Sequence, residues 1–135
     1  MLFEWAHVKR FKGIHLSRLI LMIPNGAYLG ADARQRAITM SRLKRTGFKS
    51  GVFDYLLPIP CPPLQSPGLW LEMKRRREGV TSDEQLEFMR LMVSLGWVCV
   101  IAKGYEHAVR AIEHYLNQVQ GKNYATALEH DKAVV

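Results

Sequence analysis

Five prolines among residues 58–68 constrain the fold of this chain more than any other feature. Proline has no backbone N–H to donate and is excluded from the interior of a sheet, so the segment is predicted to be a loop. Two apolar runs, residues 52–57 and 69–75, flank the loop, and each predicts a β-strand. If these strands pair as a hairpin across the loop, the start of the first lies beside the end of the second.

Two further apolar runs predict strands. Residues 19–23 form a short run that is expected to be a buried strand, and Pro24-Asn25-Gly26 predicts a turn directly after it. Residues 97–102 are apolar throughout, which is typical of a strand that is covered on both faces.

Helical patterns lie between the strands. Residues 2–12 and 31–45 suit helices, and the second of these is predicted to stop at Gly47. A third helix begins at Thr81 or Ser82, either of which is a good N-cap ahead of the acidic first turn. A last helix is predicted from the spacing of Ala108, Ile112, Tyr115 and Val119.

The predicted order is therefore α-β-α-β-β-α-β-α. Such an alternation predicts an α/β fold with a four-stranded mixed sheet flanked by helices. At 135 residues the chain suits one domain, which we expect to span residues 1–120. Residues 121–135 are expected to form a loosely ordered tail.

The charge balance points to a polyanionic partner. Lys and Arg total 19 against 12 Asp and Glu, a formal net charge of +7. Basic side chains neutralise phosphates, but this excess does not distinguish DNA, RNA and an anionic membrane. Cys61 and Cys99 are isolated, so a zinc site is not expected and a reducing compartment is. No apolar stretch reaches the ~18–20 residues of a membrane span, which predicts an intracellular protein.

Three charged side chains lie in the two predicted strands of the hairpin and could form a catalytic site. Glu72 and Lys74 alternate with Met73 on one strand, so they point to the same face. Asp54 is a lone acid in the preceding strand and can converge with Glu72. Two carboxylates can hold Mg²⁺ or Mn²⁺, and a nearby lysine can stabilise the charge that develops during phosphodiester hydrolysis. The alternative is an ion pair between Glu72 and Lys74 at a sheet edge, with Asp54 capping a turn.

These residues resemble a known family. Five blocks match it in order: Ile23-Pro24-Asn25-Gly26, Gly51-Val52-Phe53-Asp54, Leu71-Glu72-Met73-Lys74, Thr81-Ser82-Asp83-Glu84-Gln85 and Ala102-Lys103-Gly104-Tyr105. Together they resemble the VRR-NUC branch of the PD-(D/E)XK nuclease superfamily, especially its small stand-alone phage and bacterial domains. The resemblance extends over residues 19–116 and implies a restriction-endonuclease-like core.

The resemblance also implies a site and an activity. Asp54, Glu72 and the backbone carbonyl of Met73 would bind Mg²⁺ or Mn²⁺, Lys74 would be the catalytic lysine, and Gln85 would lie beside the site. The alternative for Gln85 is one half of a helix capping box. The implied protein is a metal-dependent DNA endonuclease that cuts branched DNA, such as four-way (Holliday) junctions, as a homodimer. It would act in the cytoplasm of a bacterial or phage-infected cell.

One departure from the family concerns the first helix. The family usually carries a metal-binding glutamate near the start of that helix, whereas this chain offers only Glu4, which is too far along it. Either the true start lies upstream or the site works with two carboxylates. A rival hypothesis is therefore a non-catalytic nucleic-acid-binding module with a degraded nuclease site. A sequence-specific restriction enzyme is disfavoured, because the chain has little room for a recognition domain.

Basic residues outside the site predict the substrate surface. Arg34, Arg42 and Arg45 fall within an arc of roughly 80° on one helix, with Lys49 nearby. A second group follows the strand that carries Lys74 and consists of Arg75, Arg76 and Arg77. We expect both groups to contact nucleic acid, although a solvated helix face is the usual role of such residues.

Overall fold

The N-terminal segment folds as a helix and a small hairpin. In the computed structural model, which describes residues 1–24 and 30–121, helix α1 (Leu2–Val8) leads into strands β1 (Arg10–Phe11) and β2 (Ile14–His15). Lys12 and Gly13 both have positive φ angles, 49° and 79°, and close a tight turn between the strands. The prediction of one helix over residues 2–12 is therefore wrong beyond Val8.

In the part of the chain that the structure describes, the central sheet has four strands and mixed pairing. Its order is β3 (Leu21–Met22), β4 (Tyr55–Leu57), β5 (Leu69–Lys74) and β6 (Val98–Lys103). The pairs β3–β4 and β4–β5 are antiparallel, and the pair β5–β6 is parallel. The predicted hairpin across the proline-rich loop and the predicted mixed sheet are both confirmed.

Within the described residues, four helices accompany the sheet: α1, α2 (Ala33–Arg45), α3 (Asp83–Ser94) and α4 (Tyr105–Val119). The larger core lies between the sheet and helices α1 and α4, and Leu57, Leu71 and Ile112 are fully buried there. A smaller core lies between the sheet and α3, around Phe53, Met89 and Cys99. The sheet thus separates two cores of different size.

Two predicted strands are shorter than the sequence indicated. The run 19–23 contributes only Leu21–Met22, whose side chains are 49% and 61% exposed, so the prediction of a buried strand there is wrong. The preceding residues form a 3₁₀ turn, Leu16–Arg18, that buries Leu16 instead. The run 52–57 is paired only from Tyr55. The predicted turn at Pro24-Asn25-Gly26 extends outside the described residues, as do residues 122–135 of the predicted tail.

Helix α2 is attached loosely to the rest of the molecule. None of its side chains is buried, although Thr39, Met40 and Leu43 are half-buried. Asp32 caps its first turn by accepting a hydrogen bond from the Gln35 amide, and Gly47 follows its end at a φ of 106°. Across the described part of the chain, no helix is long and apolar enough to cross a membrane.

Candidate active site

The β4–β5 hairpin brings Asp54 and Glu72 together. Tyr55 pairs with Leu71, so Asp54, one residue before β4, faces Glu72 in the same register. Each carboxylate accepts a hydrogen bond from the other strand's backbone: the Asp54 amide donates to Glu72 Oε2 at 3.2 Å, and the Met73 amide donates to Asp54 Oδ2 at 3.0 Å. These two bonds link the strands where regular pairing ends, and they hold the two acids side by side.

Lys74 and Gln85 complete a small cluster around Glu72. Lys74 Nζ lies 3.0 Å from Glu72 Oε1 and donates a hydrogen bond to Gln85 Oε1 at 2.7 Å. Gln85 Nε2 donates to the same Glu72 Oε1 at 2.5 Å. Glu72 and Lys74 share a face of β5, as strand alternation predicts, while Met73 packs against the larger core on the other face.

Burial makes Glu72 an unusual carboxylate. Its side chain is only 3% exposed, and Lys74 is 13% exposed. Desolvation raises the pKa of Glu72 above its ordinary value, and the charge of Asp54 raises it further, whereas the hydrogen bond from Lys74 lowers it. Two acids held side by side in a desolvated place repel each other, and a cation placed between them would relieve that repulsion.

The donor set suits a hard divalent cation. Asp54, Glu72 and the carbonyl of Met73 offer oxygen atoms of the kind that Mg²⁺ and Mn²⁺ prefer, and such ions usually take their remaining ligands from water and a phosphate oxygen. Within residues 1–24 and 30–121, no group of three or more His, Cys, Asp and Glu side chains could hold a metal ion. A metal here would therefore be held by two carboxylates and a backbone oxygen.

Gln85 belongs to a helix cap and also contacts Glu72 and Lys74. Ser82 is the N-cap of α3 and accepts a hydrogen bond from the Gln85 amide, while Gln85 Oε1 accepts one from the Ser82 amide. The capping box is thus complete, and the same Gln85 side chain reaches Glu72 and Lys74. Capping and contact with the cluster are compatible because the first turn of α3 lies next to Glu72 and Lys74.

Glu4 takes no part in this cluster. It lies on the exposed side of α1, 83% exposed, and its carboxylate is 3.5 Å from the amino terminus of Met1. The face of α1 that packs on the core carries Leu2 and Ala6 instead. The structure therefore offers no first-helix carboxylate to the site within the described residues.

The predicted nucleic-acid contacts are all exposed, but they are not gathered into the site. Arg34, Arg42 and Arg45 lie on α2, and Lys49 follows it. Arg75, Arg76 and Arg77 leave β5 directly after Lys74, and Arg76 pairs with Glu106 of α4 at 3.1 Å. Arg76 is thus partly neutralised, whereas no ion pair in the described residues involves a side chain of α2.

Gly51 is a residue whose importance the sequence did not show. Its φ is +82°, and a Cβ there would lie 2.5 Å from the backbone carbon of Glu84 in the first turn of α3. Only glycine allows the loop before Asp54 to approach α3 this closely. A glycine in a loop is common, and the sequence carried no signal that this one meets a helix.

The comparisons with known proteins concern the fold. No protein-family model matches the chain, and no curated protein matches it. Among solved structures, a protein described as "VRR_NUC domain protein" superposes with a TM-score of 0.71 at 23% sequence identity. The superposition covers 87% of this chain and 83% of that chain. The chain has the restriction-endonuclease-like α/β fold of a VRR-NUC domain protein, which confirms the resemblance at the level of the fold.

Proposed function

We propose that the protein is a metal-dependent DNA endonuclease that hydrolyses phosphodiester bonds with Asp54, Glu72, Lys74 and Gln85. The observation that carries the proposal is the cluster itself, in which one carboxylate directly before β4 and one on β5 lie beside a half-buried lysine. The nuclease-type fold supports the same conclusion. A purely structural ion pair would need only Glu72 and Lys74, and it would not explain a second acid against the same buried carboxylate.

Each member of the cluster has a separate task. Asp54, Glu72 and the Met73 carbonyl would hold Mg²⁺ or Mn²⁺, which when bound lowers the pKa of water and polarises a phosphoryl oxygen. Lys74 Nζ carries a positive charge at the edge of the carboxylate pair and would stabilise the charge that develops on the phosphate oxygens. Glu72 and Gln85 fix the position of that ammonium group through contacts of 3.0 Å and 2.7 Å.

The substrate is proposed to be branched DNA. The exposed basic residues of α2 with Lys49, and Arg75, Arg76 and Arg77 beyond β5, would supply the phosphate contacts. A domain this small covers only part of a duplex, so a homodimer would place two such sites on the two-fold symmetric arms of a four-way junction.

The direct test is cleavage of matched DNA substrates. Four-way junctions, replication-fork-like branches and linear duplexes of the same sequences are incubated with the protein in Mg²⁺, Mn²⁺ or EDTA. We expect nicking that requires the metal and is strongest on the junction. Light scattering on the purified protein reports the dimer separately. Cleavage in EDTA would contradict metal dependence, and equal rates on linear duplex would contradict selectivity for branches.

The rival function is nucleic-acid binding without catalysis. The observation that favours it is the exposed position of Glu4, which leaves the cluster with two carboxylates in the described residues. Junction binding with no product at any concentration of Mg²⁺ or Mn²⁺ would establish the rival.

A further inference from the structure

The orientation of the Gln85 amide is fixed by three contacts. Its oxygen accepts hydrogen bonds from the Ser82 amide at 3.1 Å and from Lys74 Nζ at 2.7 Å, and its nitrogen donates to Glu72 Oε1. A flipped amide would turn its NH₂ group towards two donors and its oxygen towards a carboxylate. Only one orientation satisfies all three partners, and one of them belongs to the helix cap rather than to the cluster.

Ser82 holds Gln85 at two points. Its hydroxyl oxygen accepts from the Gln85 backbone amide at 3.2 Å, and its own amide donates to the Gln85 side chain. The cap thus fixes the position of both the Gln85 backbone amide and the Gln85 side-chain amide. Any change in the first turn of α3 is passed directly to the amide that contacts both Lys74 and Glu72.

Gly51 packs against the same turn. The loop that contains it lies directly against Glu84, the neighbour of Gln85, and three residues later the chain reaches Asp54. Phe53, between them, is fully buried in the smaller core and anchors this loop. The close approach therefore fixes the distance between the helix that carries Gln85 and the loop that carries Asp54.

We propose that Ser82 and Gly51 are positioning residues for the proposed hydrolysis. Acting through the first turn of α3, they hold the Gln85 amide where it keeps Lys74 against Glu72. The catalytic part of this inference rests on the proposed function, whereas its structural part does not. Small displacements of a catalytic group are costly, since about 1 Å can lower a rate by roughly 100-fold.

The kinetic test compares two helix caps of the same type. Ser82→Ala removes the hydroxyl that caps α3, and Ser82→Thr restores one. Asp32→Ala is the matched control: Asp32 caps α2 by accepting from Gln35, which is also a glutamine three residues after its cap. We expect Ser82→Ala to lower kcat by roughly tenfold or more with KM nearly unchanged. Ser82→Thr should recover most of the loss, and Asp32→Ala should leave kcat at its original value.

A second measurement does not depend on activity. The side-chain amide protons of Gln85, identified in nitrogen-15 NMR spectra by their loss in Gln85→Ala, are expected to exchange slowly in the wild type and in Asp32→Ala. They should exchange much faster in Ser82→Ala and in Gly51→Ala, in which the new Cβ displaces Glu84. If the wild type cuts no DNA but these signals respond, the hydrolase proposal fails and the positioning role stands. If kcat and Gln85 exchange in Ser82→Ala both equal those of the wild type, the positioning role is overturned.

Discussion

Lys74 and Lys103 face each other across the β5–β6 pair in different surroundings. Lys74 contacts Glu72 and Gln85, whereas Lys103 is exposed at the end of β6. We expect Lys74→Ala to lower single-turnover cleavage by about 100-fold or more, because it removes a charge that acts in the transition state. DNA affinity, measured by fluorescence anisotropy, should change by only a few fold.

Lys103→Ala is the control for the loss of one positive charge at the same level of the sheet. It should cleave at the wild-type rate. If the two variants lose cleavage equally, the effect comes from net charge and the role assigned to Lys74 is wrong. A melting curve for each variant is needed as well, because Lys74→Ala leaves the buried Glu72 without its cation and should lower stability.

The carboxylate pair predicts opposite effects on stability and activity. Glu72 is buried, and the charge of Asp54 contributes to its raised pKa. Asp54→Asn keeps an oxygen that can accept the Met73 amide but removes the repulsion. We expect the variant to lose cleavage and to gain about 0.5–2 kcal/mol in unfolding free energy when no divalent ion is present, as measured by urea denaturation.

Manganese binding tests whether Asp54 and Glu72 form a metal site or are only a repulsive pair of acids. If the ion binds folded protein through Asp54 and Glu72, saturating Mn²⁺ raises the melting temperature of the wild type and EDTA reverses the rise. Asp54→Asn should lose most of this response. An identical shift in both proteins would mean that the ion binds elsewhere, and it would remove the main support for the proposed metal ligands.

At the scale of elements, α2 combines a high positive charge with weak packing. The helix carries five basic residues and no acidic ones. Its half-buried residues, Thr39, Met40 and Leu43, mark the side that faces the molecule, and at roughly 100° per residue Arg34 and Arg45 lie on the opposite side. Helix α2 therefore presents Arg34 and Arg45 outward, away from any core.

The outward face predicts a salt-dependent contribution to binding. Replacing Arg34, Arg42 and Arg45 by alanine should weaken junction binding and flatten the plot of log affinity against log salt by about 0.9 for each phosphate that is no longer neutralised. The rate at saturating DNA should stay the same. Arg36→Ala is the control on the same helix, because Arg36 lies towards the packed side and donates to the Ala31 carbonyl. An unchanged slope in the triple variant would remove α2 from the substrate surface.

Sequence patterns predicted some elements closely. The strand predicted over residues 69–75 ends one residue early at Lys74, and the capped helix begins as expected after Ser82, because strand alternation and capping are local properties. The length and burial of the strand predicted over residues 19–23 were overestimated, because burial of this run depends on which elements cover it. Leu16 and Ile20 take the buried places, and Leu21 and Met22 form an exposed edge.

The two acids and the lysine of the candidate site were predictable from the sequence, but the contacts of Gly51 and Gln85 that hold them in place were not. Alternation along β5 was enough to place Glu72 and Lys74 on one face, and a hairpin was enough to bring Asp54 to them. The contact of Gly51 with Glu84 depends on how α3 docks on the sheet, which no local pattern specifies. The double use of Gln85 has the same cause, since its distance from Glu72 is a property of the packed molecule.

At the scale of the whole molecule, one sheet separates two cores, and each contains a buried acidic group. Burial raises the pKa of Cys99, in the smaller core, from 9.0 to about 12. Burial also raises the pKa of Tyr115, in the larger core, from 10.0 to about 12, and its hydroxyl donates to the Ile59 carbonyl. Since both cores share the sheet, we expect them to unfold in one cooperative transition.

Alkaline pH tests the two cores separately. Below pH 9.0 the Cys99 thiol is protonated in the folded and in the unfolded state. Above pH 9.0 the thiol ionises first in the unfolded state, so the protein loses stability as the pH rises from 9.0 towards about 12. Cys99→Ala should be less stable than the wild type at pH 7, and the difference should shrink by roughly 1 kcal/mol per pH unit above pH 9. The stability difference between Tyr115→Phe and the wild type should shrink in the same way from about one pH unit higher, because the ordinary pKa of tyrosine is 10.0. Urea denaturation from pH 7 to pH 11 measures both differences, and a constant difference for Cys99→Ala would show that its thiol already ionises in the folded state.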